Sequence, residues 1–285
     1  MLKPQHKGPI FIALAAICWS FGGLGIRLIP WGALSIAGMR SLLAAVAFAI
    51  FRRSVKIEFT TGNILAAICL TLTTTLFIFA NQLTTVAAAV LLQFSMPVFV
   101  VLMQLIFYKK KPRTGDTIAV LVTVAGMTLF FLEQLEAGGL LGNIISIISG
   151  ATFAGVFVCN RRPDTKPDQA IFLGLIGTAV IGLPFFFFDV TPDPVAWASI
   201  LFLGIVQVGI AYVFFSIGIA RTPALLACIV AAVEPILGPI WVAIVIGEIP
   251  GPLTIMGGIV IVVTVVSYNI WVEKRSRITP EAEML

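Results

Sequence analysis

Long apolar stretches separated by short polar loops make up most of the chain. Their approximate limits are residues 9–29, 33–52, 62–83, 85–107, 117–132, 140–160, 169–188, 195–219, 223–247 and 252–272. A transmembrane helix needs about 20 apolar residues, whereas a transmembrane strand alternates apolar and polar residues over about ten. The pattern therefore predicts an all-α polytopic membrane protein with ten transmembrane helices.

Composition excludes the main alternatives. Of the 285 residues, 59% are hydrophobic and 11% are charged, and the mean hydropathy is +1.09. A soluble domain carries about 25% charged residues, so no soluble domain is expected. The sequence has no glycine-rich phosphate loop, and it has no histidine, aspartate pair or Ser/Lys dyad at membrane depth. We therefore expect neither an ATP-driven pump nor an enzyme.

The distribution of basic residues predicts the orientation. If the N-terminus is cytoplasmic, Arg27 and Arg40 are the only two of the 18 Lys and Arg residues outside the cytoplasmic loops and tails. Such an excess of basic residues marks the cytoplasmic side of a membrane protein. We expect a bacterial inner-membrane protein with both termini in the cytoplasm. The net charge of +5 then needs no nucleic-acid partner. The expected partners are the lipid bilayer and a small-molecule substrate, with a monomer as the functional unit.

The second half of the chain repeats the first at offsets of 134 to 138 residues. The aligned pairs include Gly8 and Gly142, Trp19 and Phe153, Thr84 and Thr222, and Pro97 and Pro235. Each half would hold five helices, an odd number, so the second half would enter the membrane in the opposite orientation. Inverted repeats are typical of secondary transporters, whose substrate sites lie near the midplane between the repeats. We predict two inverted five-helix repeats, residues 1–136 and 137–285.

Several motifs resemble those of a known family. They are Trp19, the mid-helix Arg40, the run Arg221-Thr222-Pro223-Ala224 before the ninth helix, Glu234-Pro235, and the pair Gly247-Glu248 after it. Their order and spacing are similar to those of EamA-type ten-helix transporters of the drug/metabolite transporter superfamily, across essentially the whole chain. The closer resemblance is to the YddG-type exporters of aromatic and other amino acids, which implies amino acid export. Lys109-Lys110 replaces the Gly-Glu pair that the family often repeats in the first half, which argues against a paired role for those acids.

Polar and aromatic residues inside the apolar stretches are candidates for a substrate cavity. The candidates are Trp19, Thr75, Asn81, Gln82, Gln93, Tyr212 and Trp241. Thr75 and Gln82 share a helical face with Thr71 and Ile78, and Trp241 shares one with Glu234. The alternative is that the amides and hydroxyls only form hydrogen bonds between helices.

Two ionisable residues, Arg40 and Glu234, lie deep within predicted helices. At about 1.5 Å per residue, both fall within a few ångströms of the midplane. A charge at that depth is costly and by default indicates a functional site. Three roles remain open: an ion pair that only stabilises the helices, contact with substrate, and proton coupling through Glu234. Pro97 and Pro235 each remove a helix hydrogen bond, which makes them candidate hinges or static kinks.

Cysteine and histidine usage gives no sign of a metal or cofactor. Cys18, Cys69, Cys159 and Cys228 lie in four different apolar stretches without CxxC spacing, and the single histidine is His6. We interpret the cysteines as small core residues and predict no metal site, no disulfide and no cofactor.

These observations favour a secondary exporter of small metabolites, with aromatic and other amino acids as the leading substrates, working by alternating access. The energy source would be the solute gradient or the proton gradient. The alternative is a drug or organic-cation exporter, for which Glu234, Trp19 and Trp241 could supply an acid and aromatic walls. A sugar-phosphate transporter would need several basic groups in the cavity, and only Arg40 qualifies.

Overall fold

The computed structural model describes residues 7–53, 57–109, 111, 113–134, 139–223, 226–227, 230–231, 233–247 and 249–278. His6, Lys110, Ala224, Cys228 and Glu248, which entered the sequence analysis, lie outside this part of the chain.

Helices follow the apolar stretches along the chain. They are α1 (Lys7–Trp19), α2 (Gly22–Arg27), α3 (Ala33–Arg52), α4 (Thr61–Leu83), α5 (Val86–Gln93), α6 (Met96–Tyr108), α7 (Thr114–Gln134), α8 (Leu140–Cys159), α9 (Pro167–Asp189), α10 (Pro194–Phe202), α11 (Ala211–Ile219), α12 (Val233–Val245) and α13 (Pro252–Ile278), with a π-helical segment (Leu203–Ile210) joining α10 to α11.

Seven helical units among the described residues are long and apolar enough to cross a membrane, and α7, α12 and α13 contain shorter apolar stretches. Large side chains such as Phe107, Val180 and Ile244 are about 70% exposed on the outer surface. A soluble protein rarely exposes many such residues together, whereas a membrane protein turns them toward lipid. The chain is therefore an all-α, multi-pass membrane protein, as predicted. The arrangement as ten inverted helices remains a prediction.

Two apolar stretches are interrupted near their middle. In the first, α1 ends at Trp19 and α2 begins at Gly22. In the fourth, residues 94–95 form a turn between α5 and α6, and Pro97 lies in the first turn of α6. A proline is tolerated there because the first N–H groups of a helix have no partner within the helix.

The packing of the helices repeats between the two halves. Helix α4 of the first half packs along α8 and α9 of the second half. The matching unit of the second half, formed by the π-helical segment and α11, packs along α1 and α3 of the first half. Two further pairs, α3 with α9 and α7 with α13, each join one helix from either half.

Close glycine contacts show the same repetition at atomic detail. A Cβ added at Gly142 would lie 2.8 Å from Cβ of Thr84, and a Cβ added at Gly8 would lie 2.5 Å from Oγ1 of Thr222. Both distances are shorter than real Cβ contacts, so any larger residue at either position would force the neighbouring threonine to move. The two glycines and the two threonines are aligned pairs of the sequence repeat. The two halves therefore use the same helix contacts.

Candidate functional site

A buried cavity lies between the two halves of the chain. The first half contributes Trp19, Arg40, Thr73, Thr74, Phe77 and Gln93. The second half contributes Phe153, Gln207, Val208, Tyr212 and Glu234. The cavity offers about 40 Å³ to the centres of water molecules. One water needs roughly 10–15 Å³ by this measure, so there is room for about three waters in this conformation.

Irregular points in the helices position several of these side chains. Trp19 is the last residue of α1, Gln93 is the last residue of α5, and Glu234 lies in the first turn of α12. Gln207 and Val208 belong to the π-helical segment. Broken helices and π segments are common at functional sites because they present backbone groups and redirect side chains into a cavity.

Arg40 and Glu234 bring opposite charges into the same cavity. Their residues are 4% and 5% exposed, and the two charges interact electrostatically. Among the described contacts, however, no nitrogen of Arg40 lies within 4.0 Å of a Glu234 oxygen. Nε and Nη1 of Arg40 are buried and have no hydrogen-bond partner in the described part of the chain. The guanidinium therefore retains free donors for an anionic group.

The position of Glu234 at a helix start offsets part of the cost of burying its negative charge. The N-terminus of a helix carries a partial positive charge that stabilises a nearby carboxylate. Glu234 lies in the first turn of α12, immediately before Pro235. Pro235, one of the two predicted hinges, thus lies beside the carboxylate, and Pro97 lies close to Gln93 at the break between α5 and α6.

Aromatic rings form an apolar wall of the cavity. The ring of Trp19 lies 5.8 Å from that of Phe153 and 5.4 Å from that of Tyr212, both in edge-to-face geometry. Phe215 packs behind them, 5.1 Å from Trp19. Rings arranged in this way offer faces and edges to a planar or aromatic guest.

Two glutamines of the cavity are held by hydrogen bonds from their amide nitrogens. Nε2 of Gln93 donates to Oγ of Ser149 at 2.7 Å, and that hydroxyl donates to the carbonyl oxygen of Thr73 at 3.0 Å. Nε2 of Gln207 donates to the carbonyl oxygen of Trp19 at 3.1 Å. Oε1 of Gln207 is buried without a partner among the described residues.

The structure places Trp19, Gln93, Tyr212, Arg40 and Glu234 together in the cavity lining. It places the remaining sequence candidates, Thr75, Asn81, Gln82 and Trp241, outside that lining.

Two of these candidates bond within the fold near the helix breaks. Nδ2 of Asn81 donates to the carbonyl oxygen of Phe77, one turn earlier in α4. Trp241 stacks on Phe21 with ring centroids 5.0 Å apart, and its Nε1 donates to Oγ of Ser20. Trp241 therefore stabilises the break between α1 and α2.

The candidates on the predicted face of α4 point away from the cavity. Gln82 is exposed, and its Nε2 donates to the carbonyl oxygen of Trp31 at 2.8 Å. Thr75 is half-buried, and Thr71 of the same face donates to the carbonyl oxygen of Gly174. The neighbouring face of α4 supplies Thr73, Thr74 and Phe77 to the cavity instead.

Some lining residues had a signal in the sequence that was not used to select candidates. Phe153 is the aligned partner of Trp19, and Gln207 is an amide inside an apolar stretch. Thr73 and Thr74 adjoin the candidate Thr75. Val208 has no such signal, because an apolar residue in an apolar helix is uninformative.

A buried cavity with opposite charges inside a bundle of membrane helices is typical of a membrane transporter. Residues 6–132 and 140–270 each match the EamA-like transporter family. The chain therefore belongs to the EamA-like transporter family.

Similar proteins are transporters as well. An uncharacterized transporter of Bacillus subtilis, YwfM, is 24% identical over 262 residues, which cover 87% of this chain and 88% of that protein. An uncharacterized transporter of Archaeoglobus fulgidus is 30% identical over 168 residues, which cover 58% and 60% of the two chains. A protein of known crystal structure has the same fold, with a TM-score of 0.70, 19% identity, and coverage of 95% of this chain and 99% of that chain.

Proposed function

We propose that this protein is a secondary transporter that exports amino acids, aromatic ones in particular, across the bacterial inner membrane by alternating access. The observation that carries the proposal is the presence of Arg40 and Glu234 in one buried cavity without a direct contact between them. An amino acid at neutral pH carries one carboxylate and one ammonium group. Each group would pair with one of the two side chains.

The chemistry of the two side chains suits this assignment. A guanidinium presents a planar fork of donors that matches a carboxylate in bidentate geometry. Nε and Nη1 of Arg40 have no partner among the described residues, so they are available for that contact. Glu234 would accept hydrogen bonds from the ammonium group, and Trp19, Phe153 and Tyr212 would pack against an aromatic side chain.

Arg40 also favours the proposal over an organic-cation exporter. A cation exporter would use Glu234 and the aromatic wall, both of which line the cavity. A buried guanidinium in the same cavity would repel a cation that has no anionic group of its own. A zwitterion offsets this repulsion by placing its carboxylate at the guanidinium, so it is the better fit.

We propose that the helices form ten spans in two inverted repeats, with both termini in the cytoplasm and the monomer as functional unit. The repeated glycine contacts and the two matched family segments support the repeat. A cysteine label at Asp193 should then react with an impermeant reagent from outside, and a label at Lys111 should not. Reaction of Lys111→Cys in intact cells would contradict the inverted topology.

The substrate is tested with purified protein in proteoliposomes. Radiolabelled phenylalanine should exchange across the membrane, and unlabelled aromatic amino acids should compete with it. Phenyltrimethylammonium, an aromatic cation without a carboxylate, should compete much more weakly than phenylalanine, and it should enter no faster than it enters protein-free liposomes. Flux of the cation without flux of phenylalanine would support the organic-cation exporter instead.

A further inference from the structure

Gln207 occupies a distinctive position in the cavity wall. It lies in the π-helical segment and is 3% exposed. The segment packs closely against α3, the helix that carries Arg40: a Cβ added at Gly209 would lie 2.8 Å from Cβ of Ala47. The side chain of Gln207 lies against the start of α2, since a Cβ added at Gly22 would lie 2.7 Å from its Nε2.

The orientation of the Gln207 amide follows from its hydrogen bond. The carbonyl oxygen of Trp19, 3.1 Å away, can only accept, so the nitrogen of the amide must face it. The amide oxygen then points elsewhere, and it is buried with no donor among the described residues. Leaving a buried acceptor unsatisfied is costly, which indicates that a donor occupies this place during function.

The unpaired N–H groups of Arg40 do not donate a hydrogen bond to the Gln207 amide oxygen. Nε and Nη1 of Arg40 line the same cavity and are also without partners in the described chain, so they do not bond to Gln207. The cavity therefore holds unsatisfied donors and an unsatisfied acceptor at once. A zwitterionic guest would satisfy both, with its carboxylate at Arg40 and its ammonium group at the acceptor.

We infer that Gln207 is a specificity-determining residue whose Oε1 accepts a hydrogen bond from the ammonium group of the substrate, beside Glu234. This inference rests on the proposed function. An ammonium group has three N–H donors, so Glu234 and Gln207 can both bond to it. The bond from Nε2 to the Trp19 carbonyl fixes the direction of the acceptor.

Three ligands with the same phenyl group separate this role from a structural one. Phenylalanine carries both charged groups, 2-phenylethylamine lacks the carboxylate, and 3-phenylpropanoate lacks the ammonium group. Dissociation constants are measured by isothermal titration with the purified wild type and with Gln207→Met, which keeps the side-chain length but removes both polar atoms. We expect Gln207→Met to raise the dissociation constants of phenylalanine and 2-phenylethylamine by about tenfold or more, as for the loss of a hydrogen bond to a charged group. Binding of 3-phenylpropanoate should change by less than about twofold.

Gln82→Met is the matched control, because Gln82 also donates from Nε2 to a tryptophan carbonyl, that of Trp31, but lies outside the cavity. It should leave all three constants unchanged. Gln207→Glu keeps an acceptor, so it should retain binding of 2-phenylethylamine and weaken binding of 3-phenylpropanoate. This variant is the test if Gln207→Met does not fold. An equal loss for all three ligands, or no loss for any, would overturn the role of Gln207. Failure of the wild type to bind any of them would overturn the proposed function as well.

Discussion

The two halves of the chain build the same frame but contribute different chemistry to the cavity. Trp19 and Phe153, an aligned pair, meet in the cavity as two aromatic rings. The charges have no such counterparts. The position aligned with Arg40 is Gly174, which packs against Leu70, and the position aligned with Glu234 is the buried Met96.

The repeat therefore accounts for the helix packing but not for the charges in the cavity. Repeated helix contacts give two similar halves, which suits a protein that opens alternately to two sides. A substrate with distinct ends needs distinct anchors, and under the proposed function Arg40 of the first half and Glu234 of the second half would be these anchors. We therefore expect substitutions of Arg40 or Glu234 to abolish transport while the protein still folds. Substitutions at the aligned helix contacts should lower stability to a similar extent in both halves.

The largest effect is expected at the charges. Arg40→Gln and Glu234→Gln should each reduce phenylalanine exchange by at least about 30-fold, because each leaves one charged end of the bound substrate unpaired. Met96→Leu, at the position aligned with Glu234, should retain exchange within about twofold. Exchange in proteoliposomes measures the effect, and size-exclusion profiles check folding.

The double variant tests the alternative that these residues only stabilise the helices. If so, Arg40→Gln combined with Glu234→Gln would restore both folding and exchange, since no unpaired charge remains. Our account predicts a folded protein without exchange. The pH profile of residual exchange by Glu234→Gln also assigns the energy source: a flattened profile indicates proton coupling through Glu234, and an unchanged one a gradient-driven carrier.

A moderate and equal effect is expected at the aligned glycines. Gly8→Ala and Gly142→Ala should each destabilise the protein by about 1–3 kcal/mol, because the added methyl group overlaps Thr222 or Thr84. Thermal unfolding in detergent measures this. Gly258→Ala is the control, since its added Cβ would lie 3.4 Å from its nearest neighbour, and it should be neutral or slightly stabilising. Destabilisation by only one of the two aligned variants would contradict the common frame.

The smallest effect is expected at the prolines. Pro97 and Pro235 lie at the start of α6 and α12, where each stretch resumes as a helix near the cavity. If the two prolines are hinges of inverted repeats, Pro97→Ala and Pro235→Ala should shift cysteine accessibility toward opposite sides of the membrane. Identical accessibility patterns in the two variants would leave static kinks as the better description.

Hydrophobicity predicted the helices well because membrane insertion imposes one strong constraint on length and composition. The stretch 33–52 became α3 and the stretch 140–160 became α8, with ends shifted by one residue at most. Arg40 and Glu234 could be singled out from the sequence as charges at similar depth, since a charge deep in an apolar helix by default indicates a functional site, while their role stays a prediction.

Orientation around each helix was harder to predict. Helical spacing showed that Thr71, Thr75 and Gln82 share a face, but both faces of α4 carry polar groups. Thr71 and Gln82 bond to backbone carbonyls of neighbouring segments, while Thr73 and Thr74 reach the cavity. Only the positions of α3, α8 and α9 around α4 decide between these faces. The π-helical segment had no signal either, because its sequence is as apolar as an ordinary membrane helix.

The central claim is that Arg40 and Glu234 hold opposite ends of one zwitterionic substrate. Titration of Arg40→Gln and Glu234→Gln with 2-phenylethylamine and 3-phenylpropanoate tests it most directly. We predict that the two variants lose binding of opposite ligands. Arg40→Gln should no longer bind 3-phenylpropanoate but should still bind 2-phenylethylamine. Glu234→Gln should no longer bind 2-phenylethylamine but should still bind 3-phenylpropanoate. Parallel losses of both ligands in both variants would contradict the claim.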